Sequence, residues 1–292
     1  MAVLLYPTKC TNHLGIESLY SVHCSALIRS VHKNFMEPKQ DTLDDIINSE
    51  HDMVRSAPDR FGEHFQFAFE AHALLNDFIL SVDASRFVFT IFLSQMRKHS
   101  LLALLSTLRL HRTQALMDVR QVLEAGVNAA YAILQPDISH FAEFDEHRFI
   151  ETPKKLSHKR YQWLTANHPK ASRSIQGMKD IINDSISHSN LVSGMLNFVP
   201  DLKNDAFGTP FFDIEDEYHI KNDLWMVGDV LIGFMDLFYG VSRTTPEAMK
   251  FSSDFIERIR ALRIKDDQLK QEVMTSERFI KTMESKTQST KK

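Results

Sequence analysis

The chain has 292 residues, with 34 basic and 38 acidic side chains and a formal net charge of -4 at neutral pH. This balance gives no overall positive charge for binding nucleic acid and leaves room only for a local basic patch. The two cysteines are too few for a disulfide framework, while the length is enough for a substantial core. We therefore expect a cytoplasmic protein without cofactor or metal ion.

The first third of the chain has apolar residues at helical spacing, interrupted by prolines. Residues 16–35 predict a first helix. Residues 41–55 predict a second, acidic helix with Asp41 or Thr42 as its N-cap, because these residue types accept hydrogen bonds from the first backbone N–H groups.

Residues 101–134 show the strongest helical pattern in the sequence, with one glycine and with apolar side chains mostly three or four positions apart. Pro136 follows directly and ends the pattern. The stretch predicts one long central helix, separated by a break near His99 from an aromatic helix at residues 86–96. The predicted fold class is therefore all-α, a helical bundle built on this long helix.

The predicted central helix carries polar residues among its apolar ones. Arg120, Glu124 and Asn128 follow one another at intervals of four, and Tyr131 comes three residues later, so all four share one face. One interpretation is a partly buried ion pair whose remaining hydrogen bonds are satisfied by the amide and the phenol. The other is a polar pocket between helices that binds or activates a ligand. The first is favoured, because ion pairs often have only a structural role.

Residues 171–198 predict another strong helix, with an unusually polar centre. Asn183, Asp184 and His188 lie there although polar residues of this kind have low helix propensity. Asp184 precedes His188 by four positions, so the carboxylate is placed to orient the imidazole ring. We expect this helix to pack on the central helix and to bring His188 close to Arg120 or Glu124.

Residues 224–239 form an apolar stretch that is interrupted by Asp229 and Asp236. Each carboxylate would cost roughly 2.5 to 3.5 kcal/mol at the centre of a bilayer, so we predict a buried helix and no membrane span. The two aspartates share a face with glycines, and Arg109 or Arg112 is the cation expected to pair with them.

The chain is expected to divide into a helical core domain and a C-terminal helix. The core covers residues 1–245, of which residues 1–57 are a candidate for a separable part, and includes a short irregular or hairpin insertion near residues 201–223. Residues 246–284 predict an amphipathic helix with an apolar seam, opened by its proline and suited to a coiled coil or to docking on the bundle. A polar, disordered tail is expected at residues 285–292.

Three stretches, RQVLEAGVNAAYAI, KRYQWL and INDSISHSNLV, resemble uncharacterised bacterial all-helical proteins that are loosely similar to the HEPN superfamily. They fall within residues 101–197. HEPN ribonucleases carry an arginine with four to six residues between it and a histidine on the same helix. Here Asn183 stands where that arginine would be, which argues against RNA cleavage. The resemblance implies a helical bundle and a role in a bacterial defence or toxin-antitoxin-like system.

Two functions are compatible with these patterns. The favoured one is a non-catalytic helical interaction module that binds a second copy or another protein through the C-terminal helix. The alternative is a HEPN-like ribonuclease or other phosphate-processing enzyme, with RNA as a candidate partner, in which His188 transfers a proton and Arg120 or Arg112 stabilises phosphate charge. The first is favoured because no motif for a nucleophile, a metal site or a phosphate loop is recognised. The candidate site residues are His188, Arg120, Glu124, Asp184 and Asn183.

Overall fold

A computed structural model describes residues 42–186, 194–201 and 206–280, with the backbone alone at residues 184–186, 201 and 206. The predicted all-α class is confirmed, since the chain forms a helical bundle with little sheet. Its described helices are α1 (Leu43–Asp77), α2 (Phe87–Leu108), α3 (Arg112–Leu134), α4 (Lys154–Asn167), α5 (Pro169–Ile186), α6 (Glu217–Ser242) and α7 (Phe255–Thr275). Antiparallel strand pairs join β1 (Ile79–Val82) to β6 (Met249–Phe251), β2 (Glu143–Phe144) to β3 (Ile150–Glu151), and β4 (Val199–Asp201) to β5 (Ala206–Gly208).

The predicted single helix over residues 101–134 is wrong, because its apolar pattern is divided between α2 and α3. Leu110 has a φ of 59°, in the left-handed region, and the chain turns back there so that α3 packs along α2. The backbone carbonyl of Leu110 accepts a hydrogen bond of 2.9 Å from the Asp213 N–H, which ties the turn to a distant segment. Helix α2 runs unbroken through His99, so the predicted break there is also wrong.

Helix α1 begins where the sequence predicts and ends later. Thr42 is its N-cap, and the Thr42 and Asp45 side chains form a reciprocal capping box. The helix continues through Pro58 to Asp77, with a kink at Gly62, whose φ of 48° and ψ of -121° are accessible to glycine at little cost. The predicted end near residue 55 is therefore wrong.

Helix α6 lies at the centre of the bundle and packs on α1, α2, α3 and α7. Its length and composition would also suit a membrane span, but most of its side chains are buried in the bundle, as the sequence predicts for a core helix. Two glycines allow the close packing: a Cβ atom on Gly228 or on Gly126 would lie 2.3 Å from the ring of Phe67 or of Phe234, respectively. The helix begins at Glu217, earlier than predicted.

The hairpin predicted in the insertion is present as β4 and β5, but the last part of residues 201–223 belongs to α6. The C-terminal region differs from its prediction at its start, because Pro246 precedes β6 and the helix opens only at Phe255. The apolar seam of α7 faces the chain's own bundle, since its side chains are buried there: Phe255, Ile259, Leu262, Leu269 and Val273. Residues 1–41 and 281–292, with the first predicted helix and the tail, lie outside the described residues.

Candidate functional site: a cationic face on helix α3

The polar row predicted on the central helix lies on α3. Arg120 Nε is 3.3 Å from Glu124 Oε1, so the two side chains form the expected ion pair one helical turn apart. Neither is deeply buried: 25% of the Arg120 side chain and 39% of the Glu124 side chain are exposed. The pair is therefore accessible from solvent and contributes little to stability by itself.

Helix α5 packs on this row, as predicted, but Lys179 makes the contact. Lys179 Nζ lies 3.4 Å from the same Oε1 atom of Glu124, and it also donates a hydrogen bond of 2.9 Å to the Tyr161 hydroxyl. Asn183 is one turn further along α5 and half-buried. His188 and the Asp184 side chain lie outside the described residues, so their predicted approach to Glu124 stays a prediction.

Helix α4 adds Arg160, a buried cation that the sequence analysis did not single out. Only 3% of the residue is exposed. Its Nε donates to Asn128 Oδ1 at 2.6 Å and its Nη1 donates to the His140 carbonyl at 3.1 Å, while the guanidinium lies 5.3 Å from the centre of the Phe141 ring. Burial lowers the pKa of Arg160. Among the described residues no carboxylate lies within 4.0 Å of it.

These groups form what we call the cationic face: Arg120, Glu124, Asn128, Arg160 and Lys179. It combines three cations with one carboxylate. Aromatic rings close its far end, because Tyr131 is buried against Trp163, with ring centres 5.3 Å apart. Burial raises the pKa of Tyr131, which keeps the phenol neutral. The predicted Arg120 and Glu124 pair is thus present, but Asn128 accepts from Arg160 and not from that pair, and the face has more cations than carboxylates.

The other candidate arginine, Arg112, begins α3 and lies in a cluster that we call the acidic clasp: Arg112, Asp213, Glu215 and Asp223. Arg112 Nη1 donates to Glu215 Oε1 at 3.0 Å, and its Nε lies 3.0 Å from Asp223 Oδ2. Asp213 accepts a hydrogen bond of 2.6 Å from the Arg112 backbone N–H, so its carboxylate caps the first turn of the helix. The clasp joins α3 to α6 and to the segment before it.

The clasp has more carboxylates than its one cation can neutralise. Burial raises the pKa of Glu215 to about 7 and also raises the pKa of Asp223, although Arg112 opposes both shifts. Burial alone would lower the pKa of Arg112, but the attraction of Asp223 and Glu215 raises it above its ordinary value. The pKa values of Glu215, Asp223 and Arg112 therefore all rise, those of the two acids because they are buried and that of Arg112 because these acids surround it.

The cation expected to pair with Asp236 was assigned wrongly. Arg112 does pair with an acid of α6, but with Asp223, and Arg109 Nε lies 3.6 Å from Glu50 Oε2 on α1. Asp236 instead forms an ion pair with Arg263 of α7. Helix α7 packs on α6 and supplies this cation from only 27 positions further along the chain.

Two further polar pairs were not predicted. His99 Nδ1 lies 2.8 Å from Asp118 Oδ1 between α2 and α3, and Gln114 Nε2 donates to the second oxygen of the same buried carboxylate at 2.9 Å. Between α6 and α7, Trp225 Nε1 donates to Asp266 Oδ1 at 2.8 Å. Burial, with a contribution from nearby Asp229, raises the pKa of Asp266 to about 7.

No group of three or more His, Cys, Asp or Glu side chains is placed to hold a metal ion in the part of the chain that the structure describes. Comparison of the chain with protein-family models, with curated proteins and with solved structures found no match. The resemblance to HEPN proteins therefore stays a prediction, and arguments about function depend on the chain's own residues.

Proposed function

We propose that the protein is a non-catalytic helical interaction module whose binding surface is the outer face of α2. The observation that supports this most strongly is that α2 exposes large apolar side chains on its solvent side as well as burying them on its core side. The side that faces the core is buried. The opposite side presents Phe87 and Ile91, each 49% exposed, and Leu101 and Leu102, 39% and 36% exposed.

The four exposed residues lie within one stripe about 100° wide, because successive residues of a helix are about 100° apart. The exposed Ser94 and Lys98 lie between the two apolar pairs. Lys98 interrupts the stripe and supplies a polar group that favours one orientation of a partner. A surface helix normally turns polar residues outward, so an outward apolar stripe is typical of a protein-binding surface. Because α3 supports α2 along its length, a partner would meet a preorganised surface.

The predicted binding of a partner through the C-terminal helix stays a prediction, and a partner there would have to use the outer face of α7. Ile264 on that face is 62% exposed and offers a direct comparison. The proposed role in a bacterial defence or toxin-antitoxin-like system is supported by the sequence resemblance alone. The proposed cytoplasmic location is supported by composition alone.

The test is self-association, measured by native mass spectrometry and by light scattering after size exclusion. We expect the wild type to form a discrete oligomer and the double variant Ile91→Asp, Leu102→Asp to be monomeric. Ile264→Asp is the matched control, since it places the same charge on another exposed isoleucine, and should keep the wild-type mass. A wild type that stays monomeric at high concentration, or an oligomer that only Ile264→Asp dissociates, would contradict the proposal.

A phosphate-processing enzyme is kept as a second candidate. Helix α5, which precedes His188 in the sequence, contacts Glu124 through Lys179, and Glu124 is the ion-pair partner of Arg120. Arg120 suits this role better than Arg112, whose charge is already engaged by carboxylates. The test is cleavage of single-stranded RNA by the wild type and by His188→Ala. Equal rates would remove this candidate.

A further inference from the structure

We propose that the cationic face binds a phosphate group, held by Arg120 and Lys179 and attracted by the charge of Arg160. This site lies on α3, α4 and α5, and the inference does not depend on the α2 stripe. The ligand class is a small phosphate-bearing anion, either inorganic phosphate or a phosphate monoester.

The first argument is charge. Arg160 is buried, and within the described part of the chain it hydrogen-bonds to two neutral acceptors, the Asn128 side chain and the His140 carbonyl. A buried cation without an opposite charge is unfavourable, because hydrogen bonds to neutral groups replace only part of its hydration. Glu124 is the one carboxylate in the cationic face, and both Arg120 and Lys179 already approach it. An added anion would therefore improve the electrostatic energy of the face.

The second argument is geometry. Arg120 Nε and Lys179 Nζ lie 3.3 and 3.4 Å from the same oxygen, Oε1 of Glu124. Two donors that converge on one carboxylate oxygen are also close enough to contact two oxygens of one phosphate group, which offers several acceptors. A phosphate bound there would share these donors with Glu124 or displace its half-exposed side chain.

The third argument is preorganisation. Lys179 is held by the hydroxyl of Tyr161 and lies 4.6 Å from the centre of that ring, so its ammonium group is fixed before a ligand arrives. Only 14% of the Lys179 side chain is exposed, which strengthens its attraction for an anion relative to a lysine in bulk water. Arg120 is more exposed, so the face runs from an accessible rim at Arg120 to a buried cation at Arg160.

The test is isothermal titration of the full chain with inorganic phosphate and with adenosine monophosphate, at constant ionic strength set by chloride. We expect saturable binding by the wild type. Lys179→Gln and Arg120→Gln should each weaken it at least about tenfold, because each removes one charged hydrogen bond. Lys250→Gln is the control: it removes an exposed lysine of β6 and should leave affinity unchanged.

Far-ultraviolet circular dichroism shows whether each variant is folded. Both test residues are only partly buried, so their glutamine variants are expected to fold and can be compared even if an Arg160 variant does not. Equal affinity for the two ligands supports the proposal and identifies the phosphate group alone as the recognised part. Tighter binding of the nucleotide supports it with a phosphate monoester as the ligand. Absence of binding by the wild type, or equal weakening by Lys250→Gln and Lys179→Gln, would overturn it.

Discussion

Helix α3 carries two arginines in surroundings of opposite charge. At its start, Arg112 lies among three carboxylates, those of Asp213, Glu215 and Asp223. Eight residues later, about 12 Å along the helix, Arg120 lies in a face with three cations and one carboxylate. The same residue type on the same helix thus belongs to an acid-rich cluster at one end and to a cation-rich cluster further along.

The difference matters because the two kinds of excess charge are removed by different means. A surplus carboxylate can take up a proton near neutral pH, as the raised pKa of about 7 at Glu215 indicates. A surplus guanidinium keeps its proton throughout the physiological range, so only an anion can neutralise it. The acidic clasp can therefore be complete without a ligand, whereas the cationic face gains from one.

The largest expected effect comes from removing the cation of the clasp. Arg112→Met leaves Glu215 and Asp223 buried without their partner, which should lower the free energy of unfolding by about 3 to 5 kcal/mol. Arg120→Met is the matched control and should cost less than about 1 kcal/mol, because its ion pair is half-exposed. Urea denaturation of both variants checks this, and equal losses would erase the contrast between the two clusters.

A smaller effect is expected when one surplus acid is removed. The pKa of Glu215 is raised to about 7 from an ordinary value of 4.5, so the folded chain holds a proton that the unfolded chain releases. This contribution to stability is full below pH 4.5 and is lost as the pH rises through 7. Glu215→Gln should therefore match the wild type near pH 4.5 and exceed its unfolding free energy by about 2 kcal/mol at pH 8. A variant that is less stable than wild type at pH 8 would show that the clasp needs all its carboxylates ionised.

Removing the buried cation of the other cluster should cost less than removing Arg112. Arg160→Met loses the hydrogen bonds to Asn128 and to the His140 carbonyl. It also removes a buried charge that has no carboxylate beside it among the described residues, and the methionine side chain fills much of the same space. We expect a loss of about 1 to 2 kcal/mol in urea denaturation without added anion. A loss as large as that of Arg112→Met would mean that Arg160 is fully compensated already.

The smallest signal is spectroscopic and concerns a second acid-rich site. Trp225 donates a hydrogen bond to Asp266, whose pKa is raised to about 7 by burial and by Asp229. In a Trp163→Phe background, which leaves Trp225 as the only tryptophan, its emission should change with a midpoint near pH 7. Asp266→Asn should abolish the change. An emission that stays constant between pH 5 and pH 9 would show that Asp266, unlike the prediction for Glu215, does not take up a proton near neutral pH.

Local patterns in the sequence were enough to predict the class of fold, the buried helix around residues 224–239 and the Arg120 and Glu124 pair, because these depend on spacings of three and four residues. The turn at Leu110 was not predictable from periodicity, since apolar residues continue through it at helical intervals. The acidic clasp was hidden for another reason: Arg112 and its partners are 101 to 111 positions apart. Arg160 lies in a basic stretch, KKLSHKRYQW, and nothing local distinguishes this buried cation from its exposed neighbours.

The most direct test of the contrast between the two clusters is nuclear magnetic resonance of the arginine side-chain Nε–H groups during titration with inorganic phosphate. Arg112→Lys, Arg120→Lys and Arg160→Lys assign the three resonances. We expect the Arg120 and Arg160 signals to shift saturably with one common affinity, while the Arg112 signal stays in place because carboxylates already surround it. An Arg112 signal that shifts as far as the others, or three signals that do not move, would contradict the claim that α3 carries one self-neutralising cluster and one anion site.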